Sequence, residues 1–130
     1  MFRAAALPNA ALDANDSKRL SKRAFAAIRR ARQNSGVAVA TITMWELAWL
    51  AQNGRIVVTG SVEMFIRETV ARVILRAVTP EIAGLAASLP QNFPRDPADR
   101  LIAATAMVEG CRLVTADERI RRSKVVETVW

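Results

Sequence analysis

FPRDPADRLIAATAMVEGCRLVTADERI, residues 93–120, is the stretch whose reading decides the fold. Asp96 precedes Pro97, the residue favoured at the first helical position, so a helix is predicted from this point to Gly110 with Asp99 in its first turn. A short apolar strand, Arg112 to Val114, follows and gives way at once to Thr115-Ala116-Asp117. Helix into strand is the second half of a βαβ crossover. In a parallel α/β sheet ligands bind in the crevice at the carboxyl ends of the strands, which makes Asp99 and Asp117 candidates to face it.

Working outward, Ser21 or Asp16 is positioned to cap a helix running to about Gln33. Leu20, Ala24, Ala27, Ile28 and Ala31 lie on one stripe of it, and Asn34-Ser35-Gly36 ends it. Val37 to Ile42 has the β-branched content of a buried strand. Thr43 then opens a helix containing Glu46, Leu47, Leu50 and Ala51, stopped near Asn53-Gly54. Residues 61–75 repeat apolar side chains at a helical period, residues 75–78 suit a short strand, and Thr79-Pro80-Glu81 begins a helix over Ile82 to Leu89. Pro90 to Pro97 reads as a loop and Lys124 to Val129 as a final strand. Strands alternating with helices point to an α/β fold, and 130 residues suit a single domain over 1–130. Residues 1–15 are Ala-rich and weakly patterned, with Pro8 among them.

The inventory of side chains narrows the chemistry. There is no histidine, so Ser-His-Asp triads, Cys-His pairs and histidine-ligated zinc are excluded, leaving carboxylates, hydroxyls, Lys and Arg. Cys111 is the only cysteine, which rules out an internal disulfide and fits a small core residue at a strand start. No apolar run approaches the ~20 residues that cross a bilayer, and the N-terminus lacks an unbroken apolar signal core, so a cytoplasmic protein without a membrane partner is expected. Nineteen Lys and Arg against twelve Asp and Glu leave a net charge of +7, which favours polyanions.

The order of elements and the wording of two blocks, SKRAFAAIRRARQNSGVAVATITMWELAWLAQNGRI at 21–56 and DPADRLIAATAMVEGCRLVTADERI at 96–120, resemble the PIN-domain ribonucleases, particularly the VapC-like toxins of bacterial toxin–antitoxin pairs. The resemblance implies a three-layer αβα sandwich around a small central parallel sheet. It also implies acidic side chains that hold Mg²⁺ or Mn²⁺ for RNA cleavage, a cognate antitoxin and a homodimer. The family's second, third and fourth acids fall on Glu46, Asp99 and Asp117. Its first acid, at the end of an apolar N-terminal strand, has no counterpart in Ala4-Ala5-Ala6-Leu7-Pro8, and Asp13 and Asp16 come late in the count. The first element, residues 1–15, is therefore expected to be irregular or truncated. The function implied is a metal-dependent endoribonuclease toxin. The alternative is a non-catalytic relative that keeps antitoxin or RNA binding.

Each candidate also has a structural reading. Thr43-x-x-Glu46 has the spacing of a capping box, Asp96 reads as an N-cap with Asp99 complementing the helix dipole, and Asp117 could cap a helix over Glu118 to Arg122. Thr115 is placed to orient Asp117, or a metal-bound water, through its hydroxyl. Basic residues run along the first helix, Arg29 and Arg30 among them, and cluster again at Arg119, Arg121, Arg122 and Lys124. A charge run is a solvated face or a track for phosphates. Arg100, beside Asp99, reads as an RNA contact or a surface ion pair. Trp45 and Trp49, four apart, read as core or interface more than as a stacking platform.

Overall fold

Leu20 to Gly36 shows how the sequence builds its layers. In the computed structural model, which describes residues 20–34 and 36–130 together with the backbone of residues 4–6, Ser21 Oγ accepts the Ala24 N–H at 3.0 Å. This cap starts helix α1, Lys22–Gln33, whose stripe of Ala24, Ala27, Ile28 and Ala31 is buried, as its period predicts. The chain leaves the helix through Gly36, at φ +92°, where an added Cβ would meet Ile74 Cδ1 at 2.9 Å. Only glycine holds that backbone conformation in that space without strain.

Strand β2, Val37–Ala40, follows. All four of its residues are buried because they alternate between two covered faces. Val37 and Val39 pack with α1, Leu20 and Val114, whereas Ala40 packs on the opposite side with Leu89, Phe93, Ile102, Ala103 and Leu113. Helix α2 spans Ile42–Gln52, α3 Val62–Val70, strand β3 Ile74–Arg76, and helix α4 Pro80–Ala87. Helix α5 (Pro97–Val108), strand β4 (Arg112–Val114), helix α6 (Glu118–Ser123) and strand β5 (Thr128–Val129) complete the order. Helices α4 and α5 pack through Ile82, Ala86 and Ala104. Helices thus cover both faces of the sheet, and the αβα sandwich is the observed architecture. No described helix is long and apolar enough to cross a membrane.

The first strand departs from expectation. Ala4–Ala6 forms strand β1, and it lies in the middle of a five-stranded sheet of order β3-β2-β1-β4-β5. It runs parallel to both neighbours, in register Ala5↔Ala38 on one side and Ala5↔Leu113 on the other. Three alanines carry no β-branched signal, and local propensity therefore missed them. Backbone pairing decides instead: β2 and β4 each present a row of donors and acceptors that a parallel strand between them satisfies. Asp13 and Asp16 lie outside the described residues.

Other boundaries moved for local reasons. Ile42 enters α2 rather than the strand, because Thr41, with its N–H donated to Arg76 O at 3.0 Å, already turns helical at φ −61°, ψ −26°. The final strand shrinks to Thr128–Val129, since Lys124 adopts the left-handed conformation that ends α6.

Candidate active site

Two strand connections leave β1 in one direction, to β2 and then β3, and the later strands β4 and β5 add on its other side. The order therefore reverses between β1 and β4, and such a reversal opens a crevice beyond the carboxyl ends of the strands. Helices α2 and α6 begin just after the ends of β2 and β4, while α5, returning antiparallel to the strands as a crossover helix does, begins at the same edge. Glu46, Asp96, Asp99 and Asp117 are all carried there.

Local folding fixes each one. Asp96 caps α5, its Oδ1 accepting the N–H groups of Ala98 at 2.8 Å and Asp99 at 3.2 Å, so the N-cap reading of Asp96 holds. Asp117 caps α6 in the same way, its Oδ1 accepting from Arg119 N at 2.8 Å and Ile120 N at 3.2 Å. The buried Thr115 hydroxyl accepts the Asp117 N–H at 3.1 Å, so it holds Asp117 through the backbone. Glu46 is different. Helix α2 begins at Ile42, two residues earlier than the capping-box reading requires, and the box does not form: among the described residues, buried Thr43 Oγ1 and Glu46 Oε1 both lack a hydrogen-bond partner.

The carboxylates sense one another. Burial, then the charge of Asp99 and then that of Asp96, raise Glu46 from its ordinary 4.5 to about 7. Asp99 is raised from 3.8 to about 6 by burial first, then by Asp96 and Asp117, with Arg119 opposing. Asp117 goes the other way: burial pushes it up, but hydrogen bonds from the Arg119 side chain and from the Ile120 and Arg119 N–H groups outweigh that and hold it below the ordinary range. Asp99 is thus the hub, coupled to Glu46 on one side and Asp117 on the other. Asp96, read from sequence as structural only, belongs electrostatically to the same group.

Among the described residues no three Asp, Glu or Cys side chains close by themselves into a cage for a metal ion; Asp117 uses its oxygens to cap α6 and to pair with Arg119. The donor chemistry nonetheless fits a hard cation. Glu46 Oε1 is a buried oxygen with no donor of its own, two carboxylates are held in mutual repulsion, and Mg²⁺ takes one or two carboxylates while keeping several waters.

Other predicted residues are placed elsewhere. Arg29 and Arg30 lie exposed on α1. Arg100 makes no ion pair among the described residues: its Nε donates to Pro94 O at 3.0 Å, and its Nη1 to Ala86 O at 3.1 Å and Leu89 O at 3.2 Å, so it clamps the loop before α5 to the end of α4. Trp45 and Trp49 are 60% and 49% exposed, so the core half of their reading is overturned. Arg119, absorbed at first into a basic run, faces the acids. Its signal was present in Asp117-x-Arg119, a cation two residues beyond a capping aspartate.

Residues 9–125 match the PIN domain family. The chain is 44% identical over 117 residues to ribonuclease VapC22 of Mycobacterium tuberculosis, covering 88% of each. Its fold is similar to that of VapBC2 from Rickettsia felis, solved bound to a promoter DNA fragment, at a TM-score of 0.70 and 15% identity over 98% of this chain and 97% of that one. VapBC-1 from nontypeable Haemophilus influenzae gives 0.66 and 18% over 98% and 96%. The family match over most of the chain and the 44% identity settle its membership: the chain belongs to the PIN-domain family.

Proposed function

We propose that this chain is a metal-dependent endoribonuclease that acts as the toxin of a toxin–antitoxin pair. The observation that carries the reading is the pair Glu46 and Asp99, two partly buried carboxylates at the switch point of a parallel sheet, each raised by burial and by acidic neighbours, with Glu46 Oε1 unpartnered. PIN-domain VapC ribonucleases are generally dependent on a divalent metal. Mg²⁺ or Mn²⁺, when bound by Glu46, Asp99 and Asp117, would supply charge stabilisation at phosphate and acidify a water for hydrolysis.

The protein's own contribution is placement. Thr115 and the α6 N-terminus fix Asp117, the Asp96 cap fixes the turn that carries Asp99, and the Arg100 clamp holds that turn against α4. The net charge of +7 draws RNA to the surface, with Arg29 and Arg30 on the exposed face of α1 as contacts. An antitoxin chain is the regulatory partner, the toxin is a homodimer, and the pair works in the cytoplasm.

A second reading is favoured by one observation. The segment that includes β1, residues 4–8, contains no carboxylate, so the family's first acid is missing and a non-catalytic relative retaining RNA or antitoxin binding is the alternative. Incubating purified protein with single-stranded RNA in Mg²⁺ or Mn²⁺, and in excess chelator, separates the two. Metal-dependent cleavage that is lost on Asp99→Asn supports the nuclease. Undiminished cleavage in chelator refutes the metal site, and RNA binding with no cleavage in any metal supports the alternative.

A further inference from the structure

Arg119 stands on the first turn of α6, two residues beyond Asp117, with its side chain in solvent. One carboxylate holds both of its ends. The Arg119 backbone N–H donates to Asp117 Oδ1 at 2.8 Å, while Nη2 donates to Asp117 Oδ2 at 3.2 Å. The guanidinium charge also acts through space on Asp99 and Asp96. A group of carboxylates that carries no balancing charge would repel the phosphates of RNA as strongly as it attracts cations. We propose that Arg119 is the resident counter-ion of the acid centre and, in the RNA-bound enzyme, a phosphate-contacting residue. The proposal rests on the nuclease reading above and deepens it.

The chemistry suits an exchange of partners. Arginine keeps its charge at any working pH, and its planar fork matches a phosphate as well as a carboxylate. An exposed ion pair of this length is weakly held, so the side chain can leave at little cost. Its departure leaves the helix start intact, because the capping bonds to Asp117 are made by the Arg119 and Ile120 backbones. Once a divalent cation shares the carboxylates their need for the guanidinium falls. Arg119 is then free at the rim of the crevice, on the same short helix as exposed Arg121 and Arg122.

The test uses the full chain and two variants, Arg119→Gln and Arg119→Lys. Mn²⁺ binding is measured by calorimetry at low ionic strength, and kcat/KM on single-stranded RNA is measured across a salt series in Mn²⁺. Loss of a competing cation should tighten Mn²⁺ binding by Arg119→Gln about 2–5-fold, the scale of one exposed ion pair. The same variant should lose about 10-fold or more in kcat/KM, the worth of one charge-assisted hydrogen bond. Its log–log salt slope should be shallower by ~0.7, as expected for one fewer phosphate contact on a single strand. Arg119→Lys, which keeps the charge and loses the fork, should keep the wild-type Mn²⁺ affinity and salt slope and recover part of kcat/KM. A wild type that binds Mn²⁺ and cleaves RNA while Arg119→Gln matches it in affinity, rate and slope makes Arg119 a surface ion pair only and overturns this proposal alone. A wild type that neither binds Mn²⁺ nor cleaves overturns the nuclease reading and this inference with it.

Discussion

Replacing Glu46 by Gln should stabilise the metal-free protein, and by an amount that depends on pH. Burial and the charges of Asp99 and Asp96 raise Glu46 from 4.5 to about 7. At about 1.4 kcal/mol per tenfold change in proton affinity, ionising it in the folded state costs on the order of 3 kcal/mol. The residue is only partly buried, and solvent screening of the interaction brings the expected figure down to about 1–2 kcal/mol. The sign follows from the raised value. The folded state binds the proton more tightly than the unfolded state, so this contribution to stability is fully present below about 4.5 and lost as pH climbs through about 7. Glutamine does not titrate. At pH 8 in chelator, Glu46→Gln should therefore melt about 3–8 °C above wild type, given the entropy of unfolding of a chain this size. The difference should shrink steadily toward pH 4.5. Thermal melts in chelator at half-unit pH steps measure it. Excess Mn²⁺ should reverse the order at pH 8, because the wild type gains binding energy that the variant cannot. A Glu46→Gln variant no more stable than wild type at pH 8 in chelator would refute the electrostatic account of the site.

Asp99→Asn should keep the fold and lower metal-dependent RNA cleavage by roughly 100-fold or more, the scale of one preorganised charge-stabilising group; an unchanged rate in a gel-based cleavage assay removes Asp99 from the chemistry. Gly36→Ala places a Cβ 2.9 Å from Ile74 Cδ1 in a left-handed backbone conformation, which should cost about 1–3 kcal/mol, and an unaltered denaturant midpoint would show that the turn relaxes freely. Arg100→Met removes three hydrogen bonds to carbonyls at the α4–α5 junction and should destabilise by about 2–4 kcal/mol. If it melts like wild type but binds RNA more weakly, Arg100 is an RNA contact after all.

What could be read in advance divides along a physical line. Ser21, Asp96 and Asp117 were legible as caps because a cap is a local event, settled by a side-chain oxygen and the N–H groups two or three residues on. The stripe of α1 was legible because burial on one helix face imposes its own period. Strand β1 was not, because three alanines gain their place from two neighbours more than thirty residues away in the chain. Ile42 was misplaced for a related reason, since a continuous apolar run reads alike as buried strand or as helix start. Glu46 showed the limit at the site itself. Thr43-x-x-Glu46 satisfies the capping-box spacing in sequence, and only the start of α2 at Ile42 sets both side chains free of it. Arg100 likewise had a solvent role on paper, whereas the carbonyls at the end of α4 and in the following loop claim it.

The four acids reach the same crevice with different electrostatic fates, and helix geometry accounts for the difference. Asp117 is an N-cap, so backbone N–H groups point at its oxygens and favour the anion. Asp117 adds the Arg119 guanidinium and stays below the ordinary range. Asp99 sits in the first turn of α5, partly buried and close to Asp96 and Asp117, so its value rises to about 6. Glu46 lies deeper in α2, past the reach of the helix start, and rises to about 7. The result is a gradient across the three, from Asp117, held below the ordinary carboxylate range, to Glu46, raised to about 7. A cation held there, as proposed, would displace a proton chiefly from Glu46 and relieve the repulsion centred on Asp99. If a divalent cation binds there as proposed, the free energy withheld from the metal-free fold at these two residues would be returned on binding, so the acids that cost the metal-free protein stability would be the ones that couple its folding to the cation.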